Sequence, residues 1–323
     1  MRHRQYPVSM IFIFSSPRSG STWIAKAFDS HPDTLYLHEP DIVDRGADLL
    51  PHWFEGDDVS DCGDRAQQYL SRLLRNRNLR TVGTKPFFHK NYRSDAAGKM
   101  RAGLIYAGKG LERAGLTALS GQIDIPDMAR EGFSPRLVMK SVSALGRIEA
   151  LVTSAVPISA ILLLRNPCAY VHSYLRGSRM GMMRAPGPMG RLLQTRSARR
   201  LNANAALDRT NDPVERLAWG WLLANCEAND AIEQTGGIVI KYENVASSPE
   251  AELRTLFSHL GLDWPDSTAQ FLKASSGSEG SYYSLTRDSM VAISRWKQEM
   301  PPAQVERVKN IVSRAPIGQQ YFA

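Results

Sequence analysis

Short, nearly unbroken apolar runs recur along the chain, separated by segments with helical spacing. Val8 to Phe14 is rich in β-formers and reads as a buried central parallel strand. It runs into a loop of small residues, Ser15 to Thr22, and then a helical stretch from Trp23 to Asp29. Thr34 to Leu37 predicts a second strand, closed by His38-Glu39-Pro40. Further strands are predicted at Thr81 to Gly83, Arg136 to Lys140, Ile158 to Leu164 and Gly237 to Tyr242. Helices are predicted around Arg65 to Arg75, Leu145 to Ser154, Cys168 to Arg176 and Val214 to Glu233. Ser248-Pro249-Glu250 opens another, with a capping hydroxyl and proline at the first helical position, and Gly261 closes it. A last helical pair brackets Pro301-Pro302. Residues 91–134 and 177–212 show no clear period. Alternating strands and helices predict an α/β protein, a mainly parallel sheet with helices on both faces. One domain over 1–323 is expected, with a basic flexible insertion around 177–212.

Composition narrows the class. The 323 residues are 43% apolar and 22% charged, which excludes a disordered or collagen-like chain. Lys and Arg number 40 against 32 Asp and Glu, a net charge of +8. That balance leaves phosphate-rich ligands, nucleic acid, an anionic membrane surface and acidic glycans as partners. Its location is more informative than its size. Residues 176–209 hold eight arginines against Asp208 alone, so the rest of the chain is close to neutral. This stretch reads either as a solvated loop or as a lid that meets a bound anion, an acidic acceptor or, peripherally, a membrane surface. Residues 177–200 contain no Phe, Tyr or Trp, so nucleic-acid binding is not expected. Cys62, Cys168 and Cys226 lack metal-ligand or disulfide-framework spacing, and every apolar run is too short to span a bilayer. A cytoplasmic protein with no metal and no transmembrane segment is expected.

Two segments carry candidate chemistry. A nucleotide P-loop has the form G-x-x-x-x-G-K-S/T, whose lysine neutralises phosphates and whose hydroxyl holds Mg²⁺. With Gly20 at the second glycine, Ser21 stands at the lysine and Thr22 at the hydroxyl, while the basic residue has moved upstream to Arg18. Such a P-loop-like turn can still wrap a phosphate with backbone N–H groups and a helix N-terminus. It can equally be only a turn. The second segment is Leu164-Arg165-Asn166-Pro167, with Ser173 eight residues after Arg165. An arginine at the carboxyl end of an apolar strand sits where open α/β sheets bind ligands. The alternative is a surface arginine and an ordinary helical serine.

Together these segments resemble the sulfotransferases that use 3′-phosphoadenosine 5′-phosphosulfate (PAPS). PRSGSTW (Pro17 to Trp23) is similar to the family's 5′-phosphosulfate loop, and LLLRNPCAYVHSYLRG (Leu162 to Gly177) to its 3′-phosphate motif. HPDTLYLHEP (His31 to Pro40), VMKSV (Val138 to Val142), IKYENV (Ile240 to Val245), HLGL (His259 to Leu262) and AISRWKQEMPP (Ala292 to Pro302) follow in family order. HPDTLYLHEP is most similar to the carbohydrate and tyrosylprotein branches. Pro40-Asp41 departs from the tyrosylprotein pattern, which has a basic residue there, and counts against an acidic peptide as acceptor.

The resemblance implies a sulfotransferase fold and transfer of the sulfuryl group of PAPS to a hydroxyl by in-line displacement, without metal. It implies Glu39 as general base, with His38 as an alternative, and Lys140 beside the transferred group, with Lys85 as a weaker rival. Arg18, Ser19, Gly20, Ser21 and Thr22 would bind the phosphosulfate. Arg165 and Ser173, with Arg18, would hold the 3′-phosphate. Tyr242 would neighbour the adenine, and Arg295 would belong to a closing C-terminal segment. The implied acceptor is a glycan or glycolipid hydroxyl; a small natural product, a lipid and a tyrosyl hydroxyl are the alternatives. A P-loop kinase or NTPase and a non-enzymatic polyanion binder are the rival classes. The first lacks its lysine, and the second lacks interleaved aromatics.

Overall fold

Five apolar runs pair side by side into one all-parallel sheet: β1 (Met10–Ser15), β2 (Thr34–His38), β3 (Arg136–Ser141), β4 (Ile158–Leu164) and β5 (Ile238–Lys241), in the order β2-β3-β1-β4-β5. The computed structural model describes residues 10–42, 46, 48–55, 59, 61–117, 123–183, 189–275 and 289–322. Residues 8 and 9 of the first predicted strand lie outside them. The longer helices are α1 (Ser21–Ser30), α2 (Gly63–Arg75), α3 (Asp95–Arg113), α4 (Pro167–Arg179), α5 (Pro213–Thr235), α6 (Tyr242–Ser247), α7 (Pro249–His259), α8 (Asp266–Ser275), α9 (Ser289–Glu299) and α10 (Pro302–Val312).

Successive side chains of a strand point to opposite faces, so a central strand feeds two cores. In β1, Met10, Phe12 and Phe14 join Leu37, Met139 and Leu162 in one, against α2, α5 and α10. Ile11 and Ile13 join Val138, Ile161 and Leu163 in the other, against α1, α6, α7 and α8. Every β1 residue is buried, which is why the run reads as unbroken rather than alternating.

Several expectations are corrected. Thr81 to Gly83 is not a strand: Leu79–Val82 is a helical turn, because Asn78 Oδ1 accepts from the N–H groups of Arg80 and Thr81, both at 3.0 Å. A cap made by the preceding residue outweighs the β-preference of Thr-Val. Ser248 makes no side-chain cap; Pro249 alone marks the start of α7. Tyr242 opens α6 instead of ending β5. The patternless 91–134 region contains the long helix α3, capped by Ser94 Oγ accepting from Ala97 N–H at 3.3 Å. In the Arg-rich stretch, residues 184–188 lie outside the described residues, but the rest is not without core pattern. Short helical turns Gly190–Gln194, Arg196–Arg200 and Ala203–Leu207 bury Leu192, Ala198, Ala203 and Leu207. Arg196 pairs with Glu149 at 2.8 Å and Arg200 with Asp230 at 3.1 Å. Cys62, Cys168 and Cys226 are free and buried. Among the described residues no helix is long and apolar enough to cross a membrane.

Candidate active site

In a parallel sheet all carboxyl ends share one edge, and ligands bind there where adjacent connections diverge. After β1 the chain leaves toward β2, and after β4 it leaves toward β5, so the divergence lies between β1 and β4. Most of the residues picked from the sequence sit on this edge.

The β1–α1 loop is shaped by left-handed backbone. Arg18 has φ +67° and Gly20 φ +83°. A Cβ on Gly20 would lie 2.2 Å from the Tyr242 ring, so glycine is required both by conformation and by space. Gly20 caps α1 without a side chain, and the first turn of the helix holds no acid. The N–H groups of Ser21 and Thr22 therefore present the positive end of the helix dipole without a neutralising side-chain cap. Ser19 is 1% exposed, and its hydroxyl has no hydrogen-bond partner among the described residues.

The β4–α4 segment is fixed next to this loop. Asn166 Oδ1 accepts from Cys168 and Ala169 N–H at 2.9 and 3.2 Å, with Pro167 at the first helical position. Glu243 Oε1 accepts from Asn166 N–H at 2.9 Å, and the Arg165 carbonyl accepts from Trp221 Nε1 at 3.1 Å. Arg165 is thereby aimed across the loop, where it donates to the Arg18 carbonyl and lies 5.1 Å from the Tyr242 ring centre. Arg18 Nε donates to Ser173 Oγ at 3.3 Å, although the two are far apart in sequence. Arg18, Arg165, Ser173, Gly20 and Tyr242 thus form one cluster around the start of α1.

Glu39 and Lys140 form a second cluster, on the other side of β1. Register pairs Lys140 with both Ile13 and His38. Glu39 has φ +45°, its N–H donates to the Lys140 carbonyl at 2.9 Å, and Lys140 Nζ donates to Glu39 Oε1. Lys140 is 2% exposed; burial lowers its pKa against the opposing pull of Glu39. His38 Nδ1 shares a hydrogen bond with the Tyr36 hydroxyl at 2.8 Å. Burial, then the Lys140 charge, lowers the His38 pKa to about 4, so the ring is neutral at pH 7.

Two predicted residues stand apart from these clusters. Lys85 Nζ lies 4.0 Å from the centre of the Tyr106 ring, against α3. Arg295 pairs along α9 with Glu299 at 3.6 Å, and α9 packs on α4 and α6. Residues 276–288, which lead into α9, lie outside the described residues.

One feature of the edge escaped the sequence. A cavity of about 460 Å³ adjoins the Glu39 turn, lined by Asp41, His52, Trp53 and Ser143. Asp41 is 1% exposed; Oδ2 accepts from Ser141 Oγ at 2.5 Å and Oδ1 has no partner among the described residues. Burial raises its pKa. The available signal was an acid just past a strand end, beside Glu39-Pro40. His52 and Trp53 lie in a stretch where no motif directs attention.

Residues 10–266 match the model of the Sulfotransferase family. Among solved structures the chain is similar to the sulfotransferase domain of the Synechococcus PCC 7002 olefin synthase, at 16% identity and TM-score 0.46, covering 96% of each chain. It is similar to the sulfotransferase domain from the curacin biosynthetic pathway, at 16% identity and TM-score 0.47, covering 96% of this chain and 99% of that one. It is also similar to a mouse sulfotransferase complexed with PAP, at 13% identity and TM-score 0.45, covering 97% and 88%. Comparison with curated protein sequences gives no significant match.

Proposed function

This chain belongs to the sulfotransferase family, and we propose that it moves the sulfuryl group of PAPS to an acceptor hydroxyl, with Glu39 as base and Lys140 as the stabilising cation. The observation that carries this reading is the juxtaposition of two clusters on one sheet edge. An uncapped helix N-terminus with Arg18, Arg165 and Ser173 lies on one side of β1. The Glu39–Lys140 pair lies on the other.

The residues suit such a donor. The Ser19 hydroxyl, which has no partner among the described residues, the uncapped N–H groups at the start of α1 and the two arginines provide donors for anionic groups. PAPS, when bound, supplies an activated sulfuryl group and a bisphosphate leaving group. Arg18, Arg165 and Ser173 bind the 3′-phosphate. Ser19 Oγ and the N–H groups of Gly20, Ser21 and Thr22 bind the 5′-phosphosulfate. Tyr242, held against Gly20, flanks the adenine, and Arg295, on the α9 helix that packs on α4 and α6, reaches the phosphates when the C-terminal segment closes. Such binding is shared by ground and transition states and lowers KM more than it raises kcat.

Glu39 takes the acceptor proton at its carboxylate, a contribution of roughly 10²–10⁴ in rate for a placed base. The Lys140 ammonium leaves Glu39 for the oxygen on which negative charge grows, so its electrostatic gain is made in the transition state. The fixed N–H groups at the start of α1 act in the same sense. The chain needs no lysine within the loop, because a sulfuryl group carries less charge than a γ-phosphate.

The acceptor is a glycan or glycolipid hydroxyl, as in the carbohydrate branch that HPDTLYLHEP resembles. The cavity beside Glu39 supports this: Trp53 offers a ring face and the half-satisfied Asp41 carboxylate an acceptor for sugar hydroxyls. Adenosine 3′,5′-bisphosphate should raise the melting temperature and ATP–Mg²⁺ should do so far less; the reverse order refutes the reading. Glu39→Gln should keep bisphosphate binding and lose turnover, measured as label transfer from PAPS onto an extract with the product identified by mass spectrometry.

A further inference from the structure

A separate cavity of about 290 Å³ lies between the outer edge of β2 and helix α3. Part of its wall is apolar, from Leu35, Val82 and Phe88. Two guanidinium groups, Arg93 and Arg101, also line it, and each residue is only 8% exposed. The Nε–H of both is buried with no acceptor among the described residues. Arg93 Nη2 donates to the Tyr92 hydroxyl at 2.6 Å, and Arg101 Nη2 reaches the Val82 carbonyl at 3.5 Å.

Among the described residues neither guanidinium has a carboxylate partner, because the acids around them are committed elsewhere. Asp29 is held by Lys26 and Lys90 and Asp127 by Arg77 at 3.0 Å, while Asp95 is exposed at the surface, 3.4 Å from His89. Burial would raise the Asp29 pKa, yet the two lysines hold it at about 2; the ionised Asp29 and Asp127 favour the Arg101 charge only from a distance. Burial lowers the Arg101 pKa, and the Arg93 charge lowers it further. Two like charges, buried together and short of acceptors, are strongly unfavourable unless an anion joins them. A guanidinium fork binds carboxylate and phosphate in the same bidentate way.

One residue links the cavity to the candidate reaction centre. Tyr36 forms part of its wall, and the Tyr36 hydroxyl bonds to His38, the residue before Glu39. We propose that Arg93 and Arg101 hold an acidic group of the acceptor, a carboxylate or phosphate on the glycan or glycolipid, while its hydroxyl lies at Glu39. This rests on the sulfuryl-transfer reading and narrows it to acidic acceptors.

Phenyl phosphate and benzoate are the probes, with benzyl alcohol as the uncharged control. Each is titrated into the full chain by ligand-detected NMR, with and without adenosine 3′,5′-bisphosphate. At least one anion should bind about tenfold or more tighter than the alcohol, and Arg101→Met or Arg93→Met should remove that advantage. The preferred anion distinguishes a phosphate from a carboxylate acceptor. Because each substitution removes a like charge, the ligand-free melting temperature should stay level or rise. Absence of anion binding, or anion binding undiminished in both variants, overturns the proposal. A lower ligand-free melting temperature with undiminished binding assigns the arginines a structural role and overturns it equally. For the acceptor role, hydroxybenzoates are compared with their methyl esters as sulfuryl acceptors from PAPS. The acids should be preferred through KM, and the preference should vanish in Arg101→Met; equal use of acid and ester by the unaltered chain refutes the assignment. The melting shift with bisphosphate separates the two readings. A chain that ignores bisphosphate refutes sulfuryl transfer, whereas anion binding stands or falls on the arginine variants.

Discussion

Replacing Lys140 by methionine keeps most of its volume and removes the charge that holds Glu39. Lys140 is 2% exposed and the Glu39 side chain 12%, so the pair is largely out of water. Removing one partner of a buried pair costs about 3–5 kcal/mol, because the other charge is left stranded. Glu39 keeps some access to water, so the low end of that range, about 3 kcal/mol, is expected. Glu39 remains tethered, since its N–H bonds to the main-chain carbonyl of residue 140, which the substitution leaves in place. Adding Glu39→Gln removes the stranded charge. The double variant should therefore recover most of the lost stability in urea denaturation of the ligand-free chain. Turnover should not recover: each single variant and the double should lie roughly 10²–10⁴ below the unaltered chain if Glu39 is the base. A double variant as unstable as Lys140→Met shows that the two charges are not an energetic pair. A double variant that still turns over shows that neither performs the chemistry.

Gly20→Ala should destabilise the chain by about 2–4 kcal/mol, from a left-handed conformation unsuited to alanine and a clash with Tyr242. Bisphosphate affinity, read by calorimetry, should fall with it; an alanine variant that melts and binds normally refutes the requirement for glycine. Asp41→Asn should raise the acceptor KM and leave bisphosphate binding unchanged, because Asp41 faces the cavity beside Glu39 and not the start of α1. A KM shift for PAPS instead would place Asp41 in the donor site. The unfolded chain protonates His38 near its ordinary value of 6.5, the folded chain only near 4. Stability due to this ring is therefore complete above about pH 6.5 and declines as pH falls to about 4, by at most roughly 3 kcal/mol. Melting curves of His38→Gln should fall less steeply than those of the unaltered chain across that window, and parallel curves refute the assignment.

The strands of the parallel sheet and its reactive edge were legible because fully buried parallel strands leave unbroken apolar runs, whereas the strand order was not. Such runs end where polar residues begin, and Arg165, Lys140 and His38-Glu39 each follow one. Contacts between distant segments were not legible. Nothing near Gly20 announces that Tyr242 will close over it, and nothing near Arg18 announces Ser173. The turn at Leu79–Val82 was misread because a side-chain cap from Asn78 acts through hydrogen bonds that β-propensity does not register. Arg93 and Arg101 were passed over for a related reason. Arg93 precedes the α3 cap and Arg101 lies within the helix, so no period links them; only the fold removes both from water while committing the nearby acids to other cations.

The backbone of the candidate site explains why its side chains meet at all. Of the four described non-glycine residues with positive φ, two are Arg18 and Glu39. Each such residue costs about 1–2 kcal/mol, so neighbours must hold it. They do so through the same residues that the chemistry would use. Arg165 donates to the Arg18 carbonyl, and the Lys140 carbonyl accepts from Glu39 N–H. The left-handed turn has a geometric consequence at each place. Along β2, Leu35 and Leu37 face one core and Tyr36 the other, with His38 in step with Tyr36. A residue 39 that continued the strand would follow Leu37, away from the face that Lys140 shares with Val138. The turn at Glu39 breaks that alternation and returns its carboxylate to Lys140. At Arg18 and Gly20 the left-handed residues turn successive N–H groups toward one concavity at the start of α1, the geometry of an anion nest. Strain at both points is thus the means by which a regular sheet edge brings a carboxylate, an ammonium group and a row of N–H donors to one place.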